Sequence, residues 1–296
     1  MSAAPAAAGR PPFLARRRAR RAERRKALDR PRFLKLVVGG FLVWTFLPIL
    51  VVVLFSFNSS VSLQNFEGFS TQWYSDFFGD RGLRESLFAS LEIAAVTMVV
   101  ATTIGSLLAF GLVRARNRLS PVTNVLMLIP LVVPEIVAGV TALLLFTQIG
   151  MQLSLTTIML AHITFSISYV TVIVRGRLAA LNREVEEAAM DLGATRIQTL
   201  RLVVLPELWP AILAAGLLIF ALSFDDFVLS FFTTGESPQP LPVRIYSSIR
   251  FGVTPTINAI GTLMLLLSLA TFTLALALPR ILGRRGQTVL IGKDAV

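Results

Sequence analysis

Cysteine is absent from the 296 residues. Disulfides and thiol chemistry are therefore excluded, and the redox compartment is left undetermined. Histidine occurs once, at His162, within an apolar stretch. A catalytic zinc normally takes three protein ligands, so no metal site is expected, and His162 reads as a hydrogen-bonded packing residue. Charge is scarce too, at 15%, against about a quarter in ordinary soluble domains. A phosphate loop is also missing. It needs Gly-x4-Gly-Lys-Ser/Thr, so that backbone amides and the lysine surround the phosphates. The nearest match runs from Gly286 to Gly292-Lys293, has five intervening residues and continues with Asp294. Serines and the histidine form no hydrolase arrangement, so the chain is expected to hydrolyse nothing itself.

What is abundant is apolar sequence. Hydrophobic residues make up 54% of the chain and the mean hydropathy is +0.72. A bilayer-spanning helix needs roughly 20 mostly apolar residues. Six segments qualify, at about 33–57, 86–113, 122–147, 155–174, 208–232 and 256–279. Their hydrophobicity is continuous rather than alternating, which argues against strands of a barrel. The expected fold is an all-α integral membrane domain of six spans. The first span is too long for a cleaved signal peptide, and no small-x-small cleavage site follows it.

The net charge of +11 could suggest nucleic acid, but its distribution points to a membrane. Of 28 Lys and Arg, only Arg81, Arg84, Arg244 and Arg250 fall in the alternate set of loops. The other basic residues fall in the N-terminal segment, the loop after span two, the connection between spans four and five, and the C-terminal tail. Basic residues accumulate on the cytoplasmic side, so both termini are expected there. Ser70 and Ser237 then face outward and Thr199 inward. The Arg16–Lys26 run carries no interleaved aromatics for base stacking. It reads as an orientation signal, solvated or facing lipid headgroups.

The chain divides into a basic tail (1–32), a membrane domain (33–280) and a second cytoplasmic tail (281–296). Pro130 and Pro134 each remove a backbone donor in span three, which should be kinked. The loop at Gly150–Ser154 is short enough to make spans three and four antiparallel neighbours.

One polar segment interrupts this pattern, from Glu187 to Pro206. Val185, Ala189 and Leu192 fall at i, i+4, i+7 and form a shallow apolar face on a helix. Gly193 suits the left-handed residue that ends it. Thr195 can cap a second helix, whose Ile197, Leu200 and Val204 share a face, and Pro206 restarts the chain into span five. Such a pair either lies on the inner leaflet or receives a soluble partner.

The spacing adds to this. Glu187-Ala188-Ala189, Gly193, Val203, Leu205 and Pro206 follow the pattern Glu-Ala-Ala-x3-Gly-x9-Ile-x-Leu-Pro, with valine in place of isoleucine. On this pattern the chain resembles permease subunits of bacterial ATP-binding-cassette importers. FNSS (57–60), GFSTQWY (68–74), HITF (162–165), FDDFV (224–228), FTTG (232–235) and LPVRIYSSIRFGVTP (241–255) extend the likeness from about residue 33 onward. They look like the second-permease type of spermidine/putrescine importers, although the basic N-terminal extension is longer than expected there.

The resemblance implies a cytoplasmic coupling helix between spans four and five, seated in a groove of an ATPase subunit. Glu187, Ala188, Ala189, Asp191, Leu192, Gly193, Leu205 and Pro206 would form that junction. It implies a homologous second permease, two ATP-binding subunits and an extracytoplasmic polyamine-binding protein. ATP and magnesium would belong to the partner ATPase, and no cofactor to this chain. The location implied is the bacterial inner membrane, and the mechanism alternating access.

Carboxylates inside spans are costly, by about 2.5 to 3.5 kcal/mol on insertion scales, and usually face protein or water. Asp225 and Asp226 in span five and Glu135 in span three are the candidate translocation-path residues for a polycation. The competing reading has the aspartates cap a helix end or pair with a partner's basic group. Glu92 is ambiguous, and Phe231 and Phe232 read as packing or lipid contacts. Two other functions fit less well. An ion-driven secondary transporter or channel would work without an ATPase, and a mere membrane anchor leaves the buried acids unexplained. Within the importer reading, an anion, iron or a vitamin is the alternative cargo.

Overall fold

The computed structural model describes residues 32–62, 64–114, 120–236, 238–250, 252 and 254–287. The Arg16–Lys26 run, Ser237 and Gly292-Lys293-Asp294 lie outside the described residues. Among those described, the regular structure is helical, and one isolated antiparallel bridge joins Asn58 and Phe69. In chain order the helices are α1 (Arg32–Phe55), α2 (Gln72–Gly79), α3 (Arg81–Arg114), α4 (Ser120–Val132), α5 (Glu135–Gln148) and α6 (Leu155–Ala179). There follow α7 (Arg183–Asp191), α8 (Arg196–Thr199), a π turn (Leu200–Val204), α9 (Leu205–Phe224), α10 (Val228–Thr233), α11 (Leu241–Ile249) and α12 (Pro255–Gln287).

Among the described residues, five helices are long and apolar enough to cross a bilayer: Phe33–Phe55, Arg81–Arg114, Leu155–Ala179, Arg196–Phe224 and Pro255–Pro279. A sixth crossing exists if Val125–Val132 and Glu135–Gln148 count as one broken span. That pair is bent by 107°, far beyond a kink. Pro134 causes the break: it has no N–H and disfavours helical backbone in the residue before it. Pro130, by contrast, is tolerated inside α4.

Span five also departs from expectation. The helix begins earlier, at Arg196, and ends at Phe224 instead of running to residue 232. Asp225 is its C-terminal cap residue, and the Asp226 carboxylate accepts from the Leu229 and Ser230 amides at the start of α10. A short acid that satisfies free amides offers the chain an alternative to continuing the helix. At the other end, Pro206 does not restart the chain. It sits in the first turn of α9, inside one continuous rod. A proline ring clashes with the carbonyl four residues back, and the wider π turn just before it moves that carbonyl aside.

The chain forms two compact units, Met1–Val52 and Val53–Val296. In the first, α1 is apolar all round. In the second, the core joins α3, α6 and α9 through Ala101, Ala109, Val170, Val174, Leu208, Ala215 and Ile219. Lipid tails are as apolar as leucine, so membrane helices associate through close packing by small residues. Gly105 shows the constraint: a Cβ there would come within 2.7 Å of Val170. Gly139 does the same against Phe232 at 2.8 Å, which places Phe232 as a packing residue between α5 and α10. A smaller cluster of Phe77, Leu241 and Ile260 holds α2, α11 and α12 together.

Candidate functional site

The polar hairpin forms as its residues predict. Asn182 caps α7 by accepting from the Glu184 amide at 3.0 Å. Gly193 has φ +92°, and the Gly193 and Ala194 amides bond back to Met190 and Ala189 at 2.9 and 3.1 Å. This is the Schellman termination, which uses the last carbonyls of the helix. Thr195 and Gln198 then exchange side-chain and backbone bonds at 3.3 and 2.8 Å, a reciprocal cap on α8. The hairpin is tied down by the Arg114–Glu186 ion pair at 2.7 Å, while Arg177 pairs with Glu207 at 2.6 Å.

No residue of α7 is buried. Val185 and Leu192 are exposed, Leu192 by 90%, and Ala189 is half-buried. Glu187, Ala188, Asp191 and Gly193 are also exposed. Leu205 packs partly against the core, and Pro206 is exposed at the start of α9. Val204 is buried in the core, whereas Ile197 on the same face is exposed. An open cavity of about 630 Å³ lies between this hairpin and the ends of α3 and α6, lined by Arg114, Arg183, Glu186, Glu187 and Arg196.

A second cavity of about 310 Å³ lies where the two broken helices meet. The α4–α5 break contributes Pro130, Val133 and Glu135. The α9–α10 break contributes Ser223, Asp226 and Leu229. Midway along α6, His162, Phe165, Ser166 and Tyr169 complete the wall. Glu135 and Asp226 share this lining, close enough to act on each other electrostatically. Such interrupted helices are tolerated at membrane depth where they line a cavity.

His162 is the packing residue expected, with the position of its partners added. Its Nδ1 bonds Ser223 Oγ at 2.8 Å and its Nε2 bonds Ser230 Oγ at 3.1 Å. Nε2 also lies 3.9 Å from Asp226 Oδ1. One buried ring thereby joins α6, the end of α9 and the start of α10.

The three acids singled out from the sequence are not equivalent. Glu135 and Asp226 line the cavity, whereas Asp225 is exposed and does not. Glu92 is exposed on α3, away from the cavity wall. Phe231 is exposed and packs against Phe227 and Tyr246. Sequence reasoning missed Phe165, Ser166, Tyr169 and Ser223. The signal available was the i, i+3, i+4, i+7 series at 162, 165, 166 and 169, one face of α6.

Apolar spanning helices, two interrupted helices around an acid-lined cavity and an exposed polar hairpin define a transport component of a membrane. The chain belongs to the family described as binding-protein-dependent transport system inner membrane component, which it matches over residues 101–287. It is a multi-pass membrane protein of that family. The spermidine/putrescine transport system permease protein PotC of Escherichia coli (strain K12) is 39% identical over 239 residues, covering 79% of this chain and 90% of that protein. The putrescine transport system permease protein PotI of the same strain is 40% identical, covering 77% and 85%. Among solved structures, a bacterial ABC transporter involved in the import of the acidic polysaccharide alginate matches with a TM-score of 0.66 at 12% identity, covering 88% of this chain and 98% of that one. The MetNI methionine ABC transporter in an inward-facing form matches at 0.56 and 18%, covering 67% and 94%. These likenesses to solved structures are of fold alone.

Proposed function

We propose that this chain is a permease subunit of an ATP-driven importer that carries polyamines across the inner membrane by alternating access. The observation that carries the cargo assignment is the Glu135–Asp226 pair on a cavity where two broken helices meet. Paired acids in a path offset the lost hydration of a cation. The identity to spermidine/putrescine and putrescine permeases supports the same cargo.

In this reading residues 33–280 are the transport domain, with six spans when the bent α4–α5 pair counts as one. The segments 1–32 and 281–296 are cytoplasmic tails. The α7 hairpin is the coupling element, and Glu187, Ala188, Ala189, Asp191, Leu192 and Gly193 meet a cytoplasmic ATPase that holds the ATP and magnesium. Its exposed, neatly capped surface supports this. Leu205 and Pro206 anchor the hairpin to α9. A homologous permease, an ATP-binding dimer and an extracytoplasmic polyamine-binding protein complete the machine. Closure of the ATPase dimer moves the hairpins and reorients the spans.

The test is uptake of labelled spermidine by vesicles holding the reconstituted complex, with competing solutes and with ATP inside or omitted. ATP-dependent uptake, competed by putrescine and not by anions or iron, is expected. Uptake that follows an ion gradient without the ATPase would replace this reading with a secondary transporter.

A further inference from the structure

The α6 wall of the 310 Å³ cavity is chemically different from its acidic wall. Phe165 and Tyr169 lie one turn apart, their ring centroids 5.3 Å from each other. Both are only half-buried, with surface left toward the cavity they line. Glu135 and Asp226 stand on the broken-helix walls of the same space. His162 is committed to Ser223 and Ser230 through its two ring nitrogens, so it acts as a brace between the aromatic helix and the acidic break.

We infer that this cavity is a subsite for one alkylammonium end of the cargo, in which Phe165 and Tyr169 receive the ammonium and its methylenes and Glu135 with Asp226 supply the opposing charge. The inference rests on the polyamine reading above and places recognition within this chain. A cation is attracted to an aromatic face when it lies within about 6 Å of the ring centroid. Carboxylates alone hold any cation, whereas the methylene spacer of an amine needs apolar surface beside the charge. An aromatic wall facing an acidic one therefore selects an amine on an alkyl chain over a hydrated inorganic ion. The site is open and small, which suits a cargo that must also leave.

The experiment uses the complete importer in vesicles, with both permeases, the ATPase and the binding protein. A diazirine-bearing spermidine analogue is added with ATP and illuminated, and labelled peptides are identified by mass spectrometry. Label is expected on the α6 peptide spanning 162–169, suppressed by excess spermidine. Phe165→Leu and Tyr169→Leu are each expected to lower spermidine uptake about fivefold, the scale of a cation–π contact at a solvent-accessible site. Phe165→Tyr and Tyr169→Phe should retain it. ATPase activity stimulated by loaded binding protein should persist in the leucine variants, so that more ATP is consumed per spermidine moved. A packing defect would instead lower assembly, ATPase activity and uptake together. Label confined to other segments, or leucine variants with unchanged uptake, overturns the subsite and leaves the polyamine reading standing. If the unsubstituted complex moves no spermidine, both fall. Should the leucine variants fail to assemble, the labelling of the unsubstituted complex decides.

Discussion

Asp226 has two separable roles. Its carboxylate caps α10 by accepting from the Leu229 and Ser230 amides, and it lines the cavity together with Glu135. Asparagine caps a helix about as well as aspartate, so Asp226→Asn keeps the local fold and removes the charge. That variant is expected to assemble normally and to transport spermidine about tenfold more slowly, the scale of one charged hydrogen bond. Glu135→Gln should act in the same direction, and Asp225→Asn much less, because Asp225 does not line the cavity. Uptake assays on purified, assembled complexes check the order. Equal losses at 225 and 226 would show that the cavity is not the route.

At the scale of elements, the hairpin and the two breaks connect the molecule's working parts. The rod from Arg196 to Phe224 has the exposed hairpin at one end and the cavity aspartate just beyond the other. In the proposed mechanism this rod carries a displacement at the hairpin to the cavity wall. Gly193 is the vulnerable point, since a side chain in left-handed backbone costs roughly 1–2 kcal/mol. Space is not the issue, as a Cβ at that position would meet nothing within 4 Å. Gly193→Asp should therefore leave the spans inserted, while backbone strain and a new charge loosen the turn and release the ATPase. Co-purification of the ATPase with the variant measures this, and normal recovery with normal uptake would remove the coupling role. The caps at Gly193 and Thr195 were legible in the sequence because capping is local chemistry. The breaks at Pro134 and Asp225–Asp226 were legible only as a kink and an intramembrane charge, since a 107° turn depends on what packs beyond it.

At the scale of the whole molecule, among the described residues Arg114 and Arg177 form ion pairs at the hairpin end, while Arg81 opens α3 at its other end and Arg244 lies there beside Gly82. Cysteines placed in this cysteine-free chain test which end faces inward. Thr199 is buried, so its failure to react would be uninformative, whereas Gln198 is exposed. A cysteine at Gln72 is expected to react with an impermeant thiol reagent applied outside, and one at Gln198 only after permeabilisation; the reverse pattern inverts the topology. Spans, sidedness and the hairpin follow from the chain's own order, because hydropathy, basic-residue bias and helix caps each depend on residues close in sequence. The gathering of Glu135, Asp226, Phe165 and Tyr169 around one cavity, and the absence of Asp225 from its lining, are different in kind. They arise where α5, α6, α9 and α10 meet, and residues far apart along the chain become neighbours only through packing such as Gly105 on Val170 and the His162 brace.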